Sequence, residues 1–158
     1  MITHEQYLYF TGRALEGMCA IVTGLGDDLA NRKPPLTGAN SPYALLEHCL
    51  GVVTYWAGEL VAGRPAHRDR EAEFVAAGPV APLVLRARET TARLAEDVAA
   101  ADPRAPLRGV PSSGFQGPDS ELDQGAALLH VYEELAQHHG QMEILRDSIL
   151  AASTPAAG

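Results

Sequence analysis

Residues 128–149 read LLHVYEELAQHHGQMEILRDSI, and this stretch decides the fold. Val131, Leu135, His138, Met142, Leu145 and Ile149 recur at alternating steps of four and three, the spacing of one face of an α-helix. The pattern predicts a long helix from about Ser120 to Ala151. One of its core positions is held by a histidine. Glu134 precedes His138 by one turn, and His130 precedes Glu134 by another. Residues four apart on a helix are offset by about 40°, so Glu134 and His138 project side by side toward the interior that the stripe defines. An ionised carboxylate placed there needs a partner.

Three further helical patterns lie upstream. The first begins near Thr3, where Thr3 and Gln6 have capping-box spacing. It continues through Leu8, Thr11, Leu15, Met18, Val22 and Leu25. Gly24 and Gly26 weaken it, and Asp27-Asp28 are expected at or past its end. Adjacent prolines and a glycine make 31–40 a loop. Ser41-Pro42 then restarts a helix, with serine as cap and proline at the first helical position. Its stripe is Leu45, Cys49, Val52, Trp56 and Leu60, and it stops at Gly63. The polar stretch His67–Glu71 reads as an ordinary connector with, at most, a short helical turn. The third stripe, Leu83, Ala87, Thr90, Leu94 and Val98, starts near Pro82 and ends before Asp102. Residues 102–119 form a long loop rich in Pro, Gly and Ser, a length that often carries function; it is expected to cover the open end of the fold.

No strand pattern of comparable strength and no internal repeat are present. Four amphipathic helices with one apolar stripe each predict an all-α protein, a four-helix bundle. Residues 1–152 are expected to form one domain, with 153–158 a flexible C-terminal tail.

Composition narrows the function. The chain has 158 residues and is 46% hydrophobic, enough for a core without staples. Its formal net charge is −8, which makes it a poor polyphosphate binder, so no nucleic acid partner is expected. Polar residues interrupt every apolar run, so no membrane span is expected. The first residues show no basic segment followed by an apolar one, so no secretory signal is expected. Cys19 and Cys49 both sit among apolar neighbours in helical patterns. They read as buried thiols in a cytoplasmic protein rather than as a disulfide.

The chemistry concentrates on two helices. Carboxylate and imidazole at i,i+4 can reach one divalent ion, with a third ligand from a facing helix. His48 flanks the second stripe between Leu45 and Val52 and supplies that ligand. His48, Glu134 and His138 would leave one position open for water or substrate, the pattern of a catalytic site. Histidines satisfied within a helical core would produce the same spacing, and so would a non-catalytic metal-binding bundle. Gln141 is a candidate to donate to a group on the metal. His139 points about 100° from His138. His130 is placed to orient the ligands, and Trp56 belongs to the core or to a pocket wall. His4 and His67 read as solvated. Cys49 faces away from His48, which argues against a Cys–His pair. Phosphate loops, nucleophile-elbow serines and Cys-x-x-Cys motifs are absent.

Residues 130–147 resemble the last-helix signature of the DinB-like superfamily. Residues 38–56 resemble its second helix and the loop before it, and 63–74 a following loop. The similarity covers nearly the whole chain and is strongest to the actinobacterial mycothiol S-transferase-like branch. The resemblance implies a four-helix bundle holding a divalent metal, zinc or nickel, through three side chains near one end. Many members have three histidines. Glu134 stands where the middle one often falls, as it does in mycothiol-dependent maleylpyruvate isomerase. The carry-over falls on His48, Glu134 and His138. Gln141, His139 and Arg146 match family positions, with Gln141 and His139 the catalytic candidates and Arg146 a supporting residue. The implied function is transfer of a low-molecular-weight, mycothiol-type thiol to a small electrophile, the cation stabilising the thiolate. A metal hydroxide acting as nucleophile would make a hydrolase or isomerase instead. The resemblance also implies a homodimer.

Overall fold

The computed structural model describes residues 2–112 and 120–153. Within them the chain is an all-α bundle. Its helices are α1 (His4–Ala30), α2 (Pro42–Val53), α3 (Arg70–Glu73), α4 (Val80–Ala100) and α5 (Gln124–Ser153). A π-helical segment, Thr54–Val61, continues α2 directly. The expected four-helix count therefore describes the long helical stretches, and α3 is a fifth, short element in the segment read as a connector. No strand occurs among the described residues, only an isolated antiparallel pairing of Pro106 with Asp123. None of the helices is long and apolar enough to cross a membrane. Of the tail, only Ser153 is described, and it closes α5. Residues 113–119 of the expected covering loop lie outside the described residues.

Local chemistry explains where the helices begin. Thr3 and Gln6 close a reciprocal capping box on α1. Ser41 Oγ accepts from Ala44 N at 3.2 Å, and Pro42 occupies the first position of α2. α5 starts at Gln124 rather than at Ser120, because Asp123 caps it by accepting from Ala126 N at 2.8 Å.

α4 has no local cap. Pro79 precedes it without a side-chain hydrogen bond. Gly26 instead breaks α1 at φ 70°, a left-handed angle that glycine adopts freely. The chain then turns Asp27 so that its Oδ1 accepts from Val80 N at 2.8 Å. Asn31 secures the same corner with two bonds to Gly78, at 2.9 and 3.0 Å. An acid at a helix N-terminus also complements the helix dipole. α4 thus begins at Val80, two residues before the sequence expectation, and Asp27, expected at or past the end of α1, lies within it beyond the Gly26 kink and caps another helix.

The stripes meet in one contiguous core. Leu15, Met18 and Val22 of α1 join Leu45 and Val52 of α2, Leu83 and Leu94 of α4, and Leu135 and Met142 of α5. His138 departs from its stripe's prediction. Its side chain keeps 20% exposure, while its neighbours Leu135 and Met142 have none. The described part of the 102–119 loop is tied across this core. Arg108 N donates to Leu60 O at 2.7 Å, and Gln124 bonds both Asp102 N and Pro106 O. Cys19 and Cys49 are free thiols, half-buried and buried respectively.

Asp97 of α4 is buried, and its carboxylate is forked by Arg64, one bond of which measures 2.9 Å. Arg64 itself is 40% exposed, so water tempers the pair. Removing it leaves a buried carboxylate without its cation. Arg64→Ala is expected to destabilise the chain by about 2 kcal/mol, read as a lower urea midpoint at unchanged slope. A loss below about 0.5 kcal/mol would mean that Asp97 needs no cation.

Candidate metal centre

Three elements converge on one imidazole. His48 lies in the middle of α2 and is buried. α3 reaches it from one side. Glu73 Oε2 accepts from His48 Nδ1 at 2.9 Å, and Phe74 stacks on the ring with centroids 4.5 Å apart at 26°. α5 reaches it from the other side, where Glu134 Oε2 lies 3.4 Å from His48 Nε2. The same Oε2 lies 3.3 Å from His138 Nε2, and the two imidazoles meet edge to face at 5.0 Å.

The i,i+4 spacing on α5 therefore does what helix geometry requires, and α2 supplies the facing histidine. His48, Glu134 and His138 offer donor atoms that all lie within 4.8 Å of one another. The two nitrogen–oxygen separations match the edge of about 3.3 Å expected for a tetrahedron with metal–ligand bonds of about 2.0–2.1 Å.

A neutral imidazole carries one N–H. His48 faces a carboxylate on each nitrogen, and His138 faces Gln141 Oε1 at 2.9 Å on Nδ1 and Glu134 on Nε2. If each Nδ1 holds the hydrogen, both Nε2 lone pairs point at a carboxylate oxygen. That arrangement calls for positive charge between them, supplied by protons or by a metal ion. The donor set of two imidazoles and one carboxylate fits a borderline divalent cation.

The electrostatics agree. The His138 and His48 imidazoles beside Glu134 hold its carboxyl well below the usual range, against the effect of burial. Burial works to lower the His48 imidazole, but Glu134 and Glu73 outweigh it and push it up. Burial also works to raise Glu73, and hydrogen bonds from His48 and Arg68 bring it below its ordinary value.

The remaining predicted residues divide into two groups. Gln141 touches the cluster through His138 Nδ1. That bond gives Gln141 Oε1 the His138 ring as its partner. His130 stands behind Glu134, with Nε2 3.8 Å from Oε1, and bonds Glu133 at 3.2 Å. Trp56 is buried and meets the His130 ring at 4.5 Å. By contrast, His139 is turned onto α1, where a Cβ on Gly17 would lie 3.0 Å from its Cδ2. Arg146 pairs with Asp147 at 2.8 Å and lines a groove between α1 and α5 with His139 and Glu143. Neither residue is brought to the cluster. The cause is helical geometry: His139 is rotated by about 100° and Arg146 lies about 12 Å further along the axis.

Sequence reading missed Glu73, Phe74 and Arg68. They lie in or beside the segment read as a connector, which has no apolar period. Two local signals pointed to them. Asp69 is a helix cap, accepting from Ala72 N at 3.0 Å, and Gly51 sits in mid-helix on the His48 side of α2.

With this geometry in view, the chain matches the family model described as Mycothiol-S-transferase over residues 7–151. That span includes every residue of the cluster. No curated protein matches it.

Trp56 is the only tryptophan of the chain, and it contacts the cluster through His130. Titrating a divalent ion is expected to change its emission, saturating near one equivalent. In His130→Ala the metal-free emission should rise, since an imidazole quencher is removed, and the response to metal should shrink. An unchanged fluorescence response in that variant would separate Trp56 from the site.

Proposed function

The chain belongs to the mycothiol S-transferase family, and from that premise we propose a metal-dependent enzyme. It joins a mycothiol-type thiol to a small electrophilic substrate, with residues 1–152 acting as one domain. The observation that supports this reading best is the pair of imidazole Nε2 atoms turned onto one Glu134 oxygen, with both Nδ1 atoms already engaged. His48, Glu134 and His138 would hold the ion, zinc or nickel, and three protein ligands leave room for a fourth. Bound there, the ion would supply Lewis acidity that keeps a thiol ionised at neutral pH.

The chain's own residues do the rest. Glu73 and Gln141 fix the two rings. Phe74 covers one face of His48, and Trp56 closes the space behind His130. Such an enclosure limits water and strengthens electrostatic interactions within it. The reacting sulfur comes from the cosubstrate. Burial, with Glu134 and Glu73 nearby, pushes the Cys49 thiol far up, so Cys49 stays protonated. In the transfer the cosubstrate sulfur forms a bond to the electrophilic carbon. The bond from that carbon to its leaving group breaks and takes its electron pair with it. The thiol proton passes to solvent.

Untagged protein is expected to carry about one divalent ion per chain by elemental analysis, and His48→Ala and His138→Ala to carry none. The wild type should consume mycothiol in the presence of an alkyl or aryl halide, with turnover at least 100-fold lower in both variants. Metal binding without thiol consumption would make the chain a non-catalytic metal module. Turnover undiminished in the variants would overturn the reading.

A further inference from the structure

Gly51 stands where alanine would serve the helix better. It lies inside α2, three residues after His48, and glycine in a helix interior is less favourable than alanine. What the missing Cβ leaves open is a notch. A Cβ on Gly51 would lie 2.6 Å from the Glu73 carboxyl carbon and closer still to Oε1.

The Glu73 carboxylate occupies that notch. The residue is 8% exposed. Arg68 Nε donates to Oε1 at 2.8 Å, and Arg68 Nη2 donates to Oε2 at 3.0 Å. Oε2 also takes the Nδ1 hydrogen of His48 at 2.9 Å. The carboxylate is thus seated by a glycine, oriented by a guanidinium fork and aimed at one ring nitrogen. On the other arm of the cluster the partner is different in kind. Gln141 is neutral and exposed, and it holds His138 by a single bond.

We propose that Glu73, admitted by Gly51 and oriented by Arg68, is the positioning residue that sets His48 for metal binding. It holds the hydrogen on Nδ1 and fixes the ring so that Nε2 faces Glu134. Because an anionic buried partner strengthens a ligating imidazole more than a neutral exposed one does, His48 is the firm arm of the site and His138 the labile one. The assignment rests on the metal reading above, and it adds which residue outside the ligand set governs affinity.

The test is zinc affinity of the full chain, measured in competition with a chromophoric chelator. Glu73→Ala and Gly51→Ala are each expected to weaken binding by about 10- to 100-fold. Glu73→Gln, which keeps an acceptor oxygen, should recover part of that loss. Gln141→Ala should cost less than Glu73→Ala. Gly51→Ala is the second route to the same result: it leaves Glu73 chemically intact and favours the helix, so a poorly folding Glu73 variant does not decide the matter. Nitrogen-15 NMR of the zinc-loaded chain should show a slowly exchanging His48 Nδ1 hydrogen that is lost in Glu73→Ala. A wild type that binds zinc and loses it in His48→Ala, yet binds equally well in Glu73→Ala and Gly51→Ala, would overturn this assignment alone. A wild type that binds no zinc would overturn it together with the metal reading.

Discussion

One imidazole stands between two buried or half-buried carboxylates, and the site depends on how that conflict of charge is resolved. His48 has one hydrogen to give when neutral and two acceptors to satisfy. Arg68 neutralises the acceptor on the α3 side. On the α5 side the described contacts of the acceptor are two further imidazoles, His138 at 3.3 Å and His130 at 3.8 Å, with no guanidinium among them. A bundle core tolerates such a group only where compensation is assured. The core around it is ordinary, with leucine, valine and methionine stripes. The unusual chemistry is confined to the place where α2, α3 and α5 meet.

The parts of this arrangement that sequence could reveal are those governed by local periodicity. Glu134 and His138 are neighbours because they are four apart on one helix, and Ser41-Pro42 sets the register that turns His48 toward them. The heptad-like stripes gave the burial of Leu135, Met142 and Leu145 for the same reason. Glu73 obeys no such rule. Its role arises from where a four-residue helix docks, and nothing in the polar run before it fixes that docking. His139 and Arg146 fail in the opposite sense. They share a motif with Glu134 and His138 but not their position on the helix surface, so proximity in sequence did not become proximity in space.

The start of α4 shows the same limit at the level of the fold. Sequence placed it near Pro82, because proline is favoured in a first turn. The helix instead gains two residues by borrowing a cap from Asp27, 53 positions away. This couples the first helix's kink to the third long helix's beginning. The first turn of α4 acquires its hydrogen-bond partner only when α1 is in place. The cost of ordering that turn is thus met by tertiary rather than local structure.

The π-helical segment after α2 has a comparable consequence. A backbone ring closed over five residues rather than four takes up more chain per turn than an α-helix does. Here that slack lies between two anchored points. His48 is pinned by α3 and α5, and Arg64 is pinned by Asp97 on α4. The half of the long helix carrying His48 and the half carrying Tyr55 and Trp56 therefore do not follow one α-helical screw. Each half takes its bearing from its own neighbours, as two shafts joined by a coupling do. The azimuth of the aromatic wall is thereby set apart from that of His48, which keeps its own partners on α3 and α5.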